Sequence, residues 1–153
     1  GHLQRNKIKQ IVPLVDLVHS VDSLRLAEDL HAFGARTDRT VDVLLQVNMA
    51  KEEGKFGCAP PAAIHLAEQI DTMVHLRLRG VMTMAPYSEN PEDSRGVFAQ
   101  TAELFHDLKA EGIGEGHLTV LSMGMSGDFE VAIEEGANVV RLGRALFGET
   151  DAD

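Results

Sequence analysis

The chain has one cysteine, no tryptophan and one tyrosine. A single thiol, Cys58, excludes an internal disulfide, which suits a reducing compartment. No apolar run approaches the roughly 20 residues of a membrane-spanning helix. Gly1 to Lys9 is polar and basic, with no apolar stretch behind it, so no secretory signal is expected and the cytoplasm is the expected location. Basic residues are also short: 14 Lys and Arg stand against 24 Asp and Glu, for a net charge of −10. Without a basic stripe, nucleic acid and anionic membrane surfaces are poor candidates as partners. Metal-site spacing is missing too. The histidines (His2, His19, His31, His65, His75, His106 and His117) are dispersed, with no H-E-x-x-H and no Cys/His cluster. There is no G-x-S-x-G elbow. The glycine run Gly112 to Gly116 follows a helix pattern rather than a strand, so it is not a dinucleotide loop.

What remains is an ordinary globular composition, 44% hydrophobic and 25% charged over 153 residues. That is enough to bury a core, and one domain over residues 1–153 is expected, with no second domain. Apolar runs and helix-period segments alternate along the chain. Strands are predicted at Ile11 to Ser20, Val41 to Asn48, Val74 to Met84, His117 to Met123 and Asn138 to Leu142. The nearly continuous apolar run Val41 to Asn48 suits a parallel strand covered on both faces. Between the strands, Leu26, Leu30 and Phe33 mark one helix, with Gly34 as its expected stop. Pro60-Pro61 opens a second over Ala62 to Ile70. Asn90-Pro91-Glu92 opens a third, with Phe98, Ala102, Phe105 and Leu108 on its apolar face. Asp128 to Glu135 is the fourth. The alternation predicts a parallel sheet with helical crossovers, either doubly wound or part of a (β/α)8 barrel. A closed barrel typically needs about 200 residues or more, so this chain is short for a complete one.

The chemistry concentrates in Leu121 to Gly148. One predicted strand runs into Gly124-Met125-Ser126-Gly127 and the next into Gly143-Arg144. Backbone N–H groups in such turns, with a helix N-terminus and the Ser126 hydroxyl, can face one anion. In barrels the loops after the last strands often build a phosphate site. A second reading has these glycines only turning the chain. Arg141 lies inside an apolar strand, where a lone charge is costly. It needs an acid such as Asp16, or a ligand's ring or phosphate. Arg77 and Arg79 are read as surface or ion-pair groups. His19 sits at a strand end, either as a hydrogen-bonded structural residue or at the mouth of a site. Met82, Met84, Met123 and Met125 are read as core packing, and Lys51 and Lys55 as a solvated loop.

Four stretches, in order, resemble the pyridoxal 5′-phosphate (PLP) homeostasis proteins, relatives of the N-terminal barrel of alanine racemase. They are GHLQRNK at residues 1–7, VLLQVN with KFG at 43–57, GVMTM at 80–84, and LSMGMSGDFEVAI with VRLGRALFG at 121–148. The resemblance implies an α/β fold of the (β/α)8 TIM-barrel type, of which this chain holds about five βα units, strands four to eight. It places PLP at the C-terminal ends of the strands. By position, Ser126, Gly143 and Arg144 would cradle the phosphate, Gly124 and Met125 would line it, and Arg141 would lie near the cofactor. Asn48, Met82 and Met84 would face the mouth.

Two departures temper this. The family's Schiff-base lysine, at the end of its first strand, has no match here, so PLP binding is expected to be non-covalent at best and no catalytic residue is expected. Arg144 stands where a hydroxyl residue is commoner. The expected function is PLP binding and intracellular PLP homeostasis, buffering or delivering the cofactor to PLP-dependent enzymes without a defined turnover. A racemase-like PLP enzyme and a sugar-phosphate-binding barrel enzyme are the alternatives. The likeness implies the C-terminal two-thirds of a family member, whose two open sheet edges call for the missing segment or, as the alternative, for self-association.

Overall fold

The computed structural model describes residues 1–148. The end of the expected domain, residues 149–153, lies outside the described residues. A short helix α1 (Ile8–Ile11), flanked by tighter 3-10 turns, precedes β1 (Val18–Val21). The chain continues through α2 (Leu24–Thr37), β2 (Val41–Val47), α3 (Ala63–Asp71), β3 (Leu76–Thr83) and α4 (Arg95–Ala110). It ends in β4 (Val120–Met125), α5 (Phe129–Glu134), β5 (Val139–Arg141) and α6 (Arg144–Phe147).

The five strands are parallel and lie in chain order, β1-β2-β3-β4-β5. That order decides between the two architectures. A doubly wound sheet reverses its direction of growth at a switch point. Here every strand adds to the same edge, so right-handed crossovers put the helices on one face. The result is a curled half-barrel, helices outside and a concave face inside. Among the described residues, β1 and β5 each pair on one side only.

Strand β2 shows how the sequence sets the two faces. Val41, Val43, Leu45 and Val47 join Leu30, Phe33, Ala67 and Ile70 in the core beneath the helices. Each of these Val, Leu, Ile and Phe side chains contributes about 1.5–3 kcal/mol relative to exposure. The intervening Asp42 receives Arg79 at 2.7 Å and Arg77 at 3.4 Å. These partly exposed pairs are worth at most about 1 kcal/mol each, so apolar burial orients the strand and the ion cluster settles around it.

Several boundaries differ from expectation. The strand predicted from Ile11 begins only at Val18, because Val12–Leu14 closes a 3-10 turn with proline at its second position. Gly34 does not stop its helix, which runs on to Thr37 and is capped by Asp38 in the left-handed conformation (φ 51°). The glycine is required for contact instead: a Cβ there would sit 2.6 Å from the Arg39 carbonyl and 2.9 Å from the His75 Cβ. Strand β4 starts later than predicted and continues through Gly124 and Met125. Met82 and Met123 are buried as expected, whereas Met84 and Met125 are exposed near the strand ends. No helix among the described residues is long and apolar enough to cross a membrane.

Candidate functional site

The C-terminal ends of β1, β2, β3 and β5 open onto one cavity of about 740 Å³. That volume is in the range of small-molecule and cofactor sites. Its walls are mostly apolar, with His19, Gln46, Asn48 and Arg141 as polar features. Met82 and Met84 line it as well, so the three strand-end residues expected at the mouth are all there. Asn48 holds the following loop by two bonds, donating from Nδ2 to the Glu52 carbonyl (2.8 Å) and accepting from the Glu52 N–H (3.2 Å). This loop brings Lys55 and Phe56 to the cavity rim, where Phe56 stacks on His2 at 4.1 Å.

Arg141 is the charged centre of the concave face. The sequence suggested Asp16 as its partner; the structure corrects that. Its guanidinium donates to Ser122 Oγ (2.7 Å) and to the Thr83 carbonyl (2.8 Å). Ser122 and Thr83 are both fully buried, on β4 and β3. No carboxylate lies within ion-pair distance of Arg141 among the described residues. Burial pushes its pKa down from the usual arginine value, while the Asp128 carboxylate opposes that shift. It is a cation fixed on two sides by neutral groups and facing a cavity.

His19, on β1, completes the arrangement. Its Nδ1 lies 3.1 Å from Ser122 Oγ. Arg141 can only donate, so the Ser122 oxygen accepts from it; the Ser122 hydroxyl proton can then go to His19 Nδ1, or its second lone pair can accept Nδ1–H. Burial first, then the Arg141 charge, lower the His19 pKa from the ordinary imidazole value. A histidine depressed in the folded state costs no stability above about pH 6.5, and stability falls as acid protonates the unfolded chain first. Urea unfolding at pH 7.5 and 5.5 is expected to show a larger acid loss for the native chain than for His19→Gln. The other histidines cancel in that difference, and equal losses would refute a lowered His19 pKa in the folded chain.

The turns singled out by sequence lie together at the ends of β4 and β5. Ser126 Oγ accepts from the Gly143 N–H (3.2 Å) and the Ala145 N–H (3.1 Å), joining the two turns. Gly143 has open space where a Cβ would stand. Gly124 is different: at φ +90°, its missing Cβ would meet the Ala132 Cβ at 2.7 Å and the Phe129 Cα at 2.9 Å, so it packs β4 against α5. Met125 is partly exposed, and Arg144 reaches over the Tyr87 ring, 6.0 Å from its centroid. Of these six residues only Arg141 lines the large cavity, and Ser126 and Gly143 form a polar corner at the ends of β4 and β5. Sequence reasoning missed Ser122 and Thr83, whose roles depend on strand register. Cys58 is buried, its thiol pushed up to about 12, and therefore unreactive.

The family model described as alanine racemase, N-terminal domain, matches residues 1–151. The pyridoxal phosphate homeostasis protein of Aquifex aeolicus is 43% identical over 150 residues, covering 97% of this chain and 64% of that protein. The chain thus spans just under two thirds of the length of such curated relatives. PipY of Synechococcus elongatus, solved with PLP bound, superposes with a TM-score of 0.85 at 34% identity, over 97% of this chain and 68% of PipY. An alanine racemase of Clostridium difficile gives a TM-score of 0.80 at 15% identity, covering 100% of this chain and 39% of the racemase, a likeness of fold.

Proposed function

The chain belongs to the alanine racemase N-terminal domain family, within its pyridoxal phosphate homeostasis branch, and from that premise we propose that it binds PLP and serves PLP homeostasis. The observation that carries the reading is Arg141: a cation held by Ser122 and Thr83, lacking a carboxylate partner among the described residues, at the edge of a cofactor-sized cavity. A cation so placed favours an acceptor or anionic ligand.

The donor set fits this cofactor. Ser126, whose oxygen takes the Gly143 and Ala145 N–H groups, keeps its own hydroxyl proton to donate to a phosphate, and the two N–H groups can turn to the same anion when it binds. Gly124 and Met125 support that corner from β4, and Arg144 adds a positive charge at its rim. The apolar walls with Met82 and Met84 suit an aromatic ring, with Arg141 beside it. When bound, PLP supplies an electron sink and a reactive carbonyl. The chain's own residues contribute binding, orientation and partial exclusion of water. The contacts these residues offer are non-covalent, none of them is assigned a catalytic role, and the protein holds the cofactor for delivery to PLP-dependent enzymes in the cytoplasm. We infer also that further strands pair with the open edges of β1 and β5, completing an eight-stranded barrel or, failing that, joining two copies.

Calorimetry with PLP, pyridoxal and a sugar phosphate tests the reading. Saturable binding of PLP, competed by inorganic phosphate and much weaker for pyridoxal, is expected. Tighter binding of the sugar phosphate would favour a sugar-phosphate enzyme and overturn the proposal. Borohydride treatment of the PLP mixture is expected to leave no stable label on a defined lysine. A label at Lys55, the lysine lining the cavity, would overturn non-covalent binding.

A further inference from the structure

Asp128 does not itself line the cavity, yet it ties together three elements around the Ser126 corner. Its Oδ1 accepts the Met125 N–H at 2.7 Å, and its own N–H donates to the Met125 carbonyl at 3.1 Å. The turn of residues 125–128 is therefore closed at both ends by one residue. Its Oδ2 accepts from Ser94 Oγ at 3.2 Å. Ser94 is 2% exposed and lies in the 3-10 turn Pro91–Ser94 that leads into α4. The start of α4 is thus bonded to the end of β4, two residues from Ser126. Ser126 in turn bonds the β5–α6 turn through Gly143 and Ala145.

We propose that Asp128 is the positioning residue of the anion-binding corner: it fixes the Ser126 hydroxyl and the Gly143 and Ala145 N–H groups in one constellation by stapling the 125–128 turn to Ser94. This rests on the PLP-binding reading above. The carboxylate acts through shape and not through charge. A negative charge close to the corner opposes a phosphate, and Asp128 also bears on Arg141 electrostatically. A residue kept there against its own charge is there for its two acceptor oxygens. Asparagine can reproduce both bonds, accepting from Met125 through Oδ1 and donating from Nδ2 to Ser94 Oγ. Alanine reproduces neither. The two substitutions therefore separate a geometric role from an electrostatic one.

Asp128→Ala is expected to weaken binding of PLP and of inorganic phosphate about tenfold, since hydrogen bonds to a charged group are lost and the corner is released. Ser94→Ala, which removes one bond, is expected to weaken both about threefold. Asp128→Asn is expected to bind both ligands as tightly as the native chain, or more tightly. Amide hydrogen exchange, read without any ligand, supplies the independent arm. Asp128→Ala should speed exchange at Met125, Gly127, Gly143 and Ala145, leave the β2 amides unchanged, and be rescued by Asp128→Asn. Selective exchange changes in a chain that binds neither PLP nor phosphate would sink the PLP reading while keeping the staple. Asp128→Asn behaving like Asp128→Ala in both assays would overturn the staple, as would native exchange in Asp128→Ala.

Discussion

Arg141→Met is expected to weaken PLP binding about hundredfold, with folding stability held to within about 1 kcal/mol of the native chain. The two halves of that expectation have one cause. Arg141 is bonded to a hydroxyl and a carbonyl, and no carboxylate neutralises it among the described residues. Its burial costs solvation that those two neutral bonds only partly offset. Methionine removes the cost, fills similar volume and leaves Ser122 free to keep its bond to His19. The Thr83 carbonyl loses one donor, which limits any gain. A ligand that accepts from the guanidinium loses a charge-assisted contact in a partly desolvated site, where such contacts are strong. Arg141→Lys should fall between the two, because an ammonium cannot span Ser122 and Thr83 as the planar guanidinium does. Calorimetry with PLP alongside urea unfolding makes the comparison. Binding within threefold of native would remove Arg141 from the site. A stability loss above about 3 kcal/mol would make its role structural instead.

That residue also shows what a sequence can and cannot reveal here. Its place inside an apolar strand marked it as a charge needing a partner, and the physical reasoning held. The partner did not follow, because Ser122 and Thr83 are brought alongside by the pairing of β3, β4 and β5, and register is not written in any one strand. The alternation of elements was legible because a strand covered on both faces reads as an apolar run, as Val41 to Val47 does. Sheet order was not, since a doubly wound sheet and a half-barrel share that alternation. Glycines were misjudged in the same way. Gly34 resembles a helix stop, yet it sits in a continuing helix under His75. Gly124 stands in the turn motif, yet its bare Cα faces α5. In both, the constraint comes from a neighbour distant in sequence. The Ser126–Gly143 corner was the easier inference, because each half of it is a contiguous turn.

A third glycine carries the largest effect on stability. Gly80→Ala is expected to cost at least about 4 kcal/mol, or to prevent soluble expression, against a total stability of roughly 5–15 kcal/mol. Gly80 lies in the middle of β3, where the register with β2 slips: Val43 pairs with Leu78, but Leu44 pairs with Gly80. On its other side it pairs with Val120 of β4. A Cβ built at Gly80 would fall 1.7 Å from the Val120 carbonyl oxygen and 2.6 Å from its carbon, at φ +155°. Neither atom belongs to a side chain that could swing away. Relief requires moving β4 off β3 or undoing the bulge, and both break ladder bonds in the centre of the sheet. The strained backbone alone would cost about 1–3 kcal/mol, and the broken bonds add to it. Gly34→Ala is the control: its closest contact is also backbone, but its helical φ needs no change, so a smaller loss is expected. Thermal and urea unfolding of both variants rank them. If Gly80→Ala unfolds within about 1 kcal/mol of the native chain, the slip in β3 does not depend on glycine, and the β3–β4 spacing must yield more readily than a central parallel pair should.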